Sequence, residues 1–257
     1  RSSDLAAVEA VVDFDRYTLK PNKMQVAFID NLEKMIEQNI DKALLLSSTG
    51  TGKTYAAAFA MRHFGFNKVL FVVHRNQIAK QAMKSFCKVF GESVSMGMVS
   101  GTLNKKEIDK DYIFATIQTL RKDENLCLFK PEHFEAIIYD EAHHVSAASY
   151  KKVMDYLKPQ FTLGMTATPD KRDDYIEGRN IYEIFNHNIA YEIRLQQAME
   201  EDLLCPFHYF GITDLEWVDD TIGENKNSTK EQKLEDFRYL TSDERVDYVI
   251  RQADYYG

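Results

Sequence analysis

The stretch Ser47 to Thr54, S-S-T-G-T-G-K-T, lies between the apolar run Ala43-Leu44-Leu45-Leu46 and the helix-like segment Tyr55-Ala56-Ala57-Ala58-Phe59-Ala60. A buried strand, a tight glycine-rich turn and a helix start, in that order, make a cradle for phosphate. Backbone N–H groups of the turn and of the helix N-terminus face the anion, and the aligned peptide dipoles favour negative charge there. Gly50 and Gly52 let the backbone wrap closely, Lys53 can reach terminal phosphates, and the Thr54 hydroxyl can hold a magnesium ion. The strict form of this loop begins with glycine, and Ser47 stands at that position. The loop says nucleotide, without saying which class of nucleotide-using protein.

A second apolar run, Ala136-Ile137-Ile138-Tyr139, leads into Asp140-Glu141-Ala142-His143. An acidic pair at the carboxyl end of a buried strand, downstream of a G-K-T loop, is a Walker B element. Asp140 suits magnesium because a hard cation takes oxygen ligands. Glu141 is placed to orient and deprotonate an attacking water. His143 and His144 invite a metal-site reading, but adjacent side chains are expected to point apart, which leaves His143 for coupling. Further apolar runs at Lys68–Val73, Tyr112–Ala115 and Phe161–Met165 are suited to strands buried on both faces of a parallel sheet. Helical patterns intervene, at Lys23 to Gln38 with a stripe of Met24, Phe28, Leu32, Met35 and Ile36, and from His74 to about Phe90. Strands alternating with helices predict an α/β doubly wound parallel sheet with its site at the carboxyl ends of the strands.

The loop written x-x-T-G-x-G-K-T, then D-E-A-H, then Thr166-Ala167-Thr168-Pro169 resemble motifs I, II and III of the superfamily 2 helicases and translocases, in the correct order. The resemblance runs from Leu19 to Pro206 and looks closest to bacterial DEAH-box proteins of the type III restriction-subunit kind. It implies a RecA-like ATP-binding lobe, with ATP and magnesium as cofactors and nucleic acid, usually DNA in such proteins, as partner. Lys53 and Glu141 are then catalytic. Thr49, Gly50, Thr51, Gly52, Lys53 and Thr54 bind ATP, and Thr54 and Asp140 hold magnesium. Gln25 is implied to read the adenine edge with an amide that donates and accepts. The family often writes L-R-P-x-Q, whereas two more residues separate Pro21 from Gln25 here, and an exposed helix glutamine is the competing reading. His143, Thr166 and Thr168 are implied to couple the phosphate site to the nucleic acid. Arg75 and the A-T-x-Q-x-L-like residues Thr116 and Gln118 are implied to lie along the bound strand. A purely structural helix-start arginine competes with the first of those roles; a helix N-cap at Thr116 competes with the second and is compatible with it. Ser100-Gly101 weakly resembles a further backbone-contacting loop.

A chain of 257 residues, 44% hydrophobic and 28% charged, has room for one large domain and a piece of another. The expected division is an N-terminal extension over 1–18, the RecA-like lobe over 19–206, and over 207–257 a polar connector and the start of a second lobe. The chain begins at Arg1 without methionine and ends just after a helical pattern, which reads as part of a longer polypeptide, monomeric as it stands. The family's arginine finger belongs to a second RecA-like lobe whose motifs do not follow Pro206, so slow hydrolysis is expected. A formal net charge of -8 opposes nucleic-acid binding over the whole surface while allowing a local basic groove. Lys80, Lys84 and Lys88 would line one side of a helix, as a solvated face also would. Cys87, Cys127 and Cys205 lack metal-ligand spacing and suit free or buried thiols in a reducing cytosol. No membrane-spanning run or signal pattern occurs, so a cytoplasmic protein with no membrane partner is expected. A P-loop small-molecule kinase and a nucleotide-dependent binding or switch module are the alternatives; an Arg-rich lid for the first is missing.

Overall fold

The computed structural model describes residues 19–99, 101, 108–169, 180–205 and 250–251. The apolar runs form strands β1 (Lys42–Ser47), β2 (Val69–Val73), β4 (Tyr112–Thr116), β5 (Ala136–Asp140) and β6 (Phe161–Thr166), and two more strands, β3 (Met96–Val99) and β7 (Ile189–Ile193), join them. All pair in parallel, in the order β3-β4-β2-β5-β6-β1-β7. The inner strands β1, β2, β5 and β6 are almost wholly buried, as strands covered on both faces must be.

Period-2 alternation splits these strands between two cores. Ala43, Leu45, Val69, Phe71, Ile138 and Leu163 face α1 (Lys23–Glu37), α2 (Lys53–Phe64) and α3 (Asn76–Phe90). Leu44, Leu46, Leu70, Val72, Ile137 and Tyr139 face the other side, where α4 (Ile117–Leu120), α5 (Asp123–Leu126), α6 (Ala148–Tyr156) and α7 (Ile181–Ile184) pack. Phe71 meets Phe86 edge-on with ring centres 5.5 Å apart, and each such buried ring contributes roughly 2–3 kcal/mol. In α2, every residue from Ala56 to Met61 is buried, because the run of alanines lets its neighbours approach on all sides. The helix stops where Gly65 takes φ +69, a left-handed value that suits glycine.

Gly164, in the middle of β6, lies under Phe185: a Cβ there would come within 2.6 Å of the ring. The strand beside β1, which carries the phosphate loop, is thereby clamped from the second core. A short helix α8 (Leu195–Glu200) follows β7, and its Ala198 packs with Met24 and Ile193, with Leu203 and Leu204 at the margin.

The chain divides into two compact units, 1–205 and 206–257. The helical mix expected before Tyr17, the Ser100 loop, the charged loop over 170–174, the extended stretch over 207–212 and the polar connector over 213–230 lie outside the described residues. Of the helix expected over 243–255, Ile250 and Arg251 are described and are helical. No helix among the described residues is long and apolar enough to cross a membrane.

Candidate active site

The parallel sheet delivers its functional side chains to one rim, the carboxyl ends of the strands. At the end of β1, Gly50 and Gly52 take φ +91 and +90 and turn the chain into α2. A side chain at either would be strained at these φ values, and its Cβ would come within 2.9 Å of Leu204 Cδ2 at Gly50 and within 2.9 Å of Gln25 Nε2 at Gly52. Ser47, the departure from the strict pattern, is buried and shares a hydrogen bond with the Thr51 hydroxyl, which also donates to the Ser48 carbonyl at 2.8 Å. A hydroxyl where glycine is usual thus pins the loop from inside. Thr51, expected at the nucleotide, uses its side chain for this internal tie, whereas Thr49 and Gly50 are exposed at the tip.

Lys53 Nζ donates to the carbonyls of Ser47 and Ser48 at 2.8 and 3.1 Å. Burial lowers its pKa, while the nearby Asp140 and Glu141 carboxylates pull it back up. Asp140, 9% exposed at the end of β5, is pushed up to about 6 by burial and by Glu141 beside it, against the opposing pull of the Glu141 N–H bond at 3.0 Å and of Lys53. One ammonium and two carboxylates in a poorly solvated corner are suited to a phosphate chain carrying a divalent cation. Among the described residues no cluster of three or more His, Cys, Asp or Glu could cage a metal by itself. Thr54 and Asp140 fit magnesium, which keeps waters and phosphate oxygens as its other ligands.

Glu141 takes φ +51 and ψ +50. Among the described residues, the other non-glycine residues with positive φ are Asn39, Asn186, His187 and Asp202, types that tolerate it; glutamate is not one of them. The turn this imposes continues into a 3-10 segment, Ala142–His144. His143 Nδ1 lies 2.9 Å from Thr166 Oγ1 and 3.3 Å from Glu141 Oε2, and the Thr168 N–H donates to the same Thr166 oxygen at 3.2 Å. Thr166 is fully buried and Thr168 exposed. The three coupling candidates are therefore joined through one hydroxyl. The expectation that His143 and His144 point apart is corrected: their ring centres are 4.1 Å apart, because the tight turn replaces the extended chain that would separate them.

Gln25 is 5% exposed, so the exposed-glutamine reading fails. Its Oε1 accepts from Asn22 N at 2.9 Å, its own N–H donates to Asn22 Oδ1 at 2.8 Å, and Nε2 donates to the Gly52 carbonyl at 3.2 Å. It completes a capping box for α1 and ties that helix to the phosphate loop. The signature N-x-x-Q was present in the sequence and went unread, as did the seat of Leu204 against Gly50, which no local pattern announces.

At the neighbouring part of the rim, Arg75 and Gln118 are exposed and have no side-chain hydrogen bond or ion pair among the described residues. Arg75 is the N-cap residue of α3 but makes no side-chain cap bond. Thr116 is 5% exposed and caps α4, its hydroxyl 3.0 Å from that of Thr119.

Residues 18–171 match the family described as type III restriction enzyme, res subunit. The chain belongs to that family. It is the first RecA-like lobe of a superfamily 2 helicase, and the kinase and switch alternatives are not favoured. It is 25% identical over 263 residues to the type I restriction enzyme EcoAI endonuclease subunit of Escherichia coli, covering 90% of this chain and 31% of that one. The helicase lobe superposes on a nuclease-deletion mutant of the type ISP restriction-modification enzyme LlaGI in complex with a DNA substrate mimic, with TM-score 0.56 at 20% identity over 72% of this chain and 21% of that one. It also matches the Sulfolobus solfataricus SWI2/SNF2 ATPase core in complex with double-stranded DNA, with TM-score 0.51 at 21% identity over 64% of this chain and 36% of that one. These likenesses carry the fold. The chain spans about a third of the length of the curated relatives it matches.

Proposed function

We propose that this lobe is the nucleotide-hydrolysing half of a motor that moves along nucleic acid, with DNA as its track, in the cytoplasm. The observation that carries the proposal is the convergence of Lys53, Asp140 and Glu141 on one half-buried corner, with His143 bridging Glu141 to Thr166. Lys53 leaves the Ser47 and Ser48 carbonyls to meet the terminal phosphates of ATP. Exposed N–H groups at the tip of the loop and at the start of α2 hold the remaining phosphate oxygens. Bound at Thr54 and Asp140, magnesium supplies positive charge against the phosphate oxygens. Glu141 orients the attacking water and accepts its proton, while Lys53 stabilises charge that develops as the terminal phosphoryl group departs. Gln25 keeps a second N–H and a second lone pair beyond its present bonds, enough to read an adenine edge.

Arg75 and Gln118 hold the backbone of the track, and His143, Thr166 and Thr168 relay between the two sites. A second RecA-like lobe in the same polypeptide closes the pocket and supplies an arginine finger. Alone and monomeric, this lobe binds nucleotide but turns it over slowly, since a missing finger costs roughly 10³ to 10⁵ in rate.

The test is ATP hydrolysis by a polypeptide that joins this chain to its second lobe, with and without single-stranded and duplex DNA and RNA, and with Lys53→Ala as control. Stimulation by one polymer, lost in the variant, supports the reading and names the track. Absence of stimulation by every polymer defeats it.

A further inference from the structure

The β2–β5 register pairs Val72 with Tyr139. Continued along both strands, it sets His74 level with Glu141, so the residue before Arg75 leaves the sheet beside the water-orienting carboxylate. The left-handed backbone of Glu141 then folds the chain back, and the His144 N–H donates to the Glu141 carbonyl at 3.0 Å. This turn brings the His144 ring edge-on to His74, ring centres 5.6 Å apart, and against His143, 4.1 Å apart. His143 in turn stands 3.3 Å from the Glu141 carboxylate. Three imidazoles therefore form an unbroken packed line from the end of β2 to the catalytic carboxylate.

His74 also carries a polar atom left unsatisfied. Its Nδ1 is buried with no hydrogen-bond partner among the described residues, an arrangement that costs free energy in the present state. A hydrocarbon ring would fill the same space without that cost. The adjacent Arg75 is exposed and unpaired, so a phosphate bound there would pull directly on the backbone that carries His74. His144 is exposed and His74 and His143 are half-buried, so the line is held by its own ring contacts and by the Glu141–His144 turn, and a shift of His74 bears on the turn through those contacts.

We propose that His74 is a positioning residue that transmits occupancy of the track at Arg75 to Glu141, through the rings of His144 and His143. The inference rests on the motor reading above and adds to it a route between the two sites that passes along β2, separate from the His143–Thr166 bond. His74 touches neither nucleotide nor track; it sets where the motif II turn sits when the track is bound.

The experiment measures ATP hydrolysis by the two-lobe polypeptide against polymer concentration, for the unaltered protein, His74→Ala, His144→Ala and the double variant. The expected result is a roughly tenfold fall in the polymer-stimulated kcat for each single variant, with the polymer concentration for half-stimulation held within about twofold. The double variant should be no worse than either single one, because the two residues act in one line. Stimulated kcat unchanged in His74→Ala overturns the inference, as does an equal loss in apparent polymer affinity, or losses that multiply in the double variant. Should His74→Ala melt well below the unaltered protein, His74→Phe is measured with the opposite expectation, stimulated kcat retained within about twofold. Phenylalanine retains a ring against His144, and full loss of stimulation in that variant would count against a packing relay. If the unaltered protein responds to no polymer, the motor reading itself fails; if it responds and His74→Ala responds equally, only the inference fails.

Discussion

The rim of the sheet has two halves built on opposite principles. Over β1, β5 and β6, polar side chains are tied to one another: Lys53 to the loop carbonyls, Thr51 to Ser47, Gln25 to Gly52, His143 to Thr166. Over β2 and β4, Arg75 and Gln118 stand in solvent, and the buried Thr116 is occupied with its own helix. A pocket that must hold dehydrated charge needs its dipoles in place beforehand, because reorganising them during reaction raises the barrier. A groove for a polyanion gains its affinity from displaced counterions, and solvated side chains suffice. In the proposed motor, the nucleotide half has its phosphate loop and carboxylates in place and takes closure and an arginine finger from the second lobe, whereas the track half is one wall of a groove.

The contrast is open to measurement. The largest effect belongs to Glu141→Gln, which should lower hydrolysis by roughly 10² to 10⁴ in single-turnover assays while nucleotide still binds. Equal loss of binding would mean that Glu141 builds the pocket instead of serving the chemistry. Next is Asp140, whose folded pKa is raised to about 6. A carboxyl shifted upward favours folding when protonated, so its contribution is full below the ordinary carboxylate range and is lost as pH rises through about 6. Asp140→Asn should accordingly stabilise the nucleotide-free lobe at neutral pH by on the order of 1–3 kcal/mol in thermal melts. In the unaltered lobe, magnesium-nucleotide affinity should weaken as pH falls below about 6, where a proton competes for the site.

Thr116→Ala tests the other half. It should cost about 1 kcal/mol of stability through loss of the α4 cap; polymer affinity left in place would confine Thr116 to the cap, and a loss of affinity beyond the loss of stability would give it a part in the track as well. The smallest effect is Arg75→Ala, which should reduce the slope of log affinity against log salt by about one phosphate contact. An unchanged slope would remove Arg75 from the groove.

The nucleotide half was legible in the sequence because its chemistry demands particular residues at fixed spacing: G-K-T after an apolar strand and D-E-A-H after another. The inner strands were legible for a related reason, since burial on both faces leaves unbroken apolar runs. The edge strands were not. Met96–Val99 contains a glycine and is buried only at alternate positions, and Ile189–Ile193 leaves Glu192 exposed and Ile189 and Tyr191 only partly buried, so neither reads as a sheet core. The tie of Gln25 to Gly52 and the seat of Leu204 on Gly50 depend on contacts between distant segments, which no local window contains. Adjacent histidines were misjudged because the left-handed Glu141 sets the turn, and a glutamate gives no warning of that conformation.

That backbone conformation has a consequence for anyone who selects variants of this lobe by robustness. A left-handed glutamate costs about 1–2 kcal/mol relative to a residue at ease there. Glycine or asparagine at 141 would relieve the strain and raise the melting temperature while removing the carboxylate that orients water. Screens scored on expression yield, solubility or heat tolerance would enrich such replacements, and a library improved by those criteria would drift toward well-behaved, inert protein at this one position.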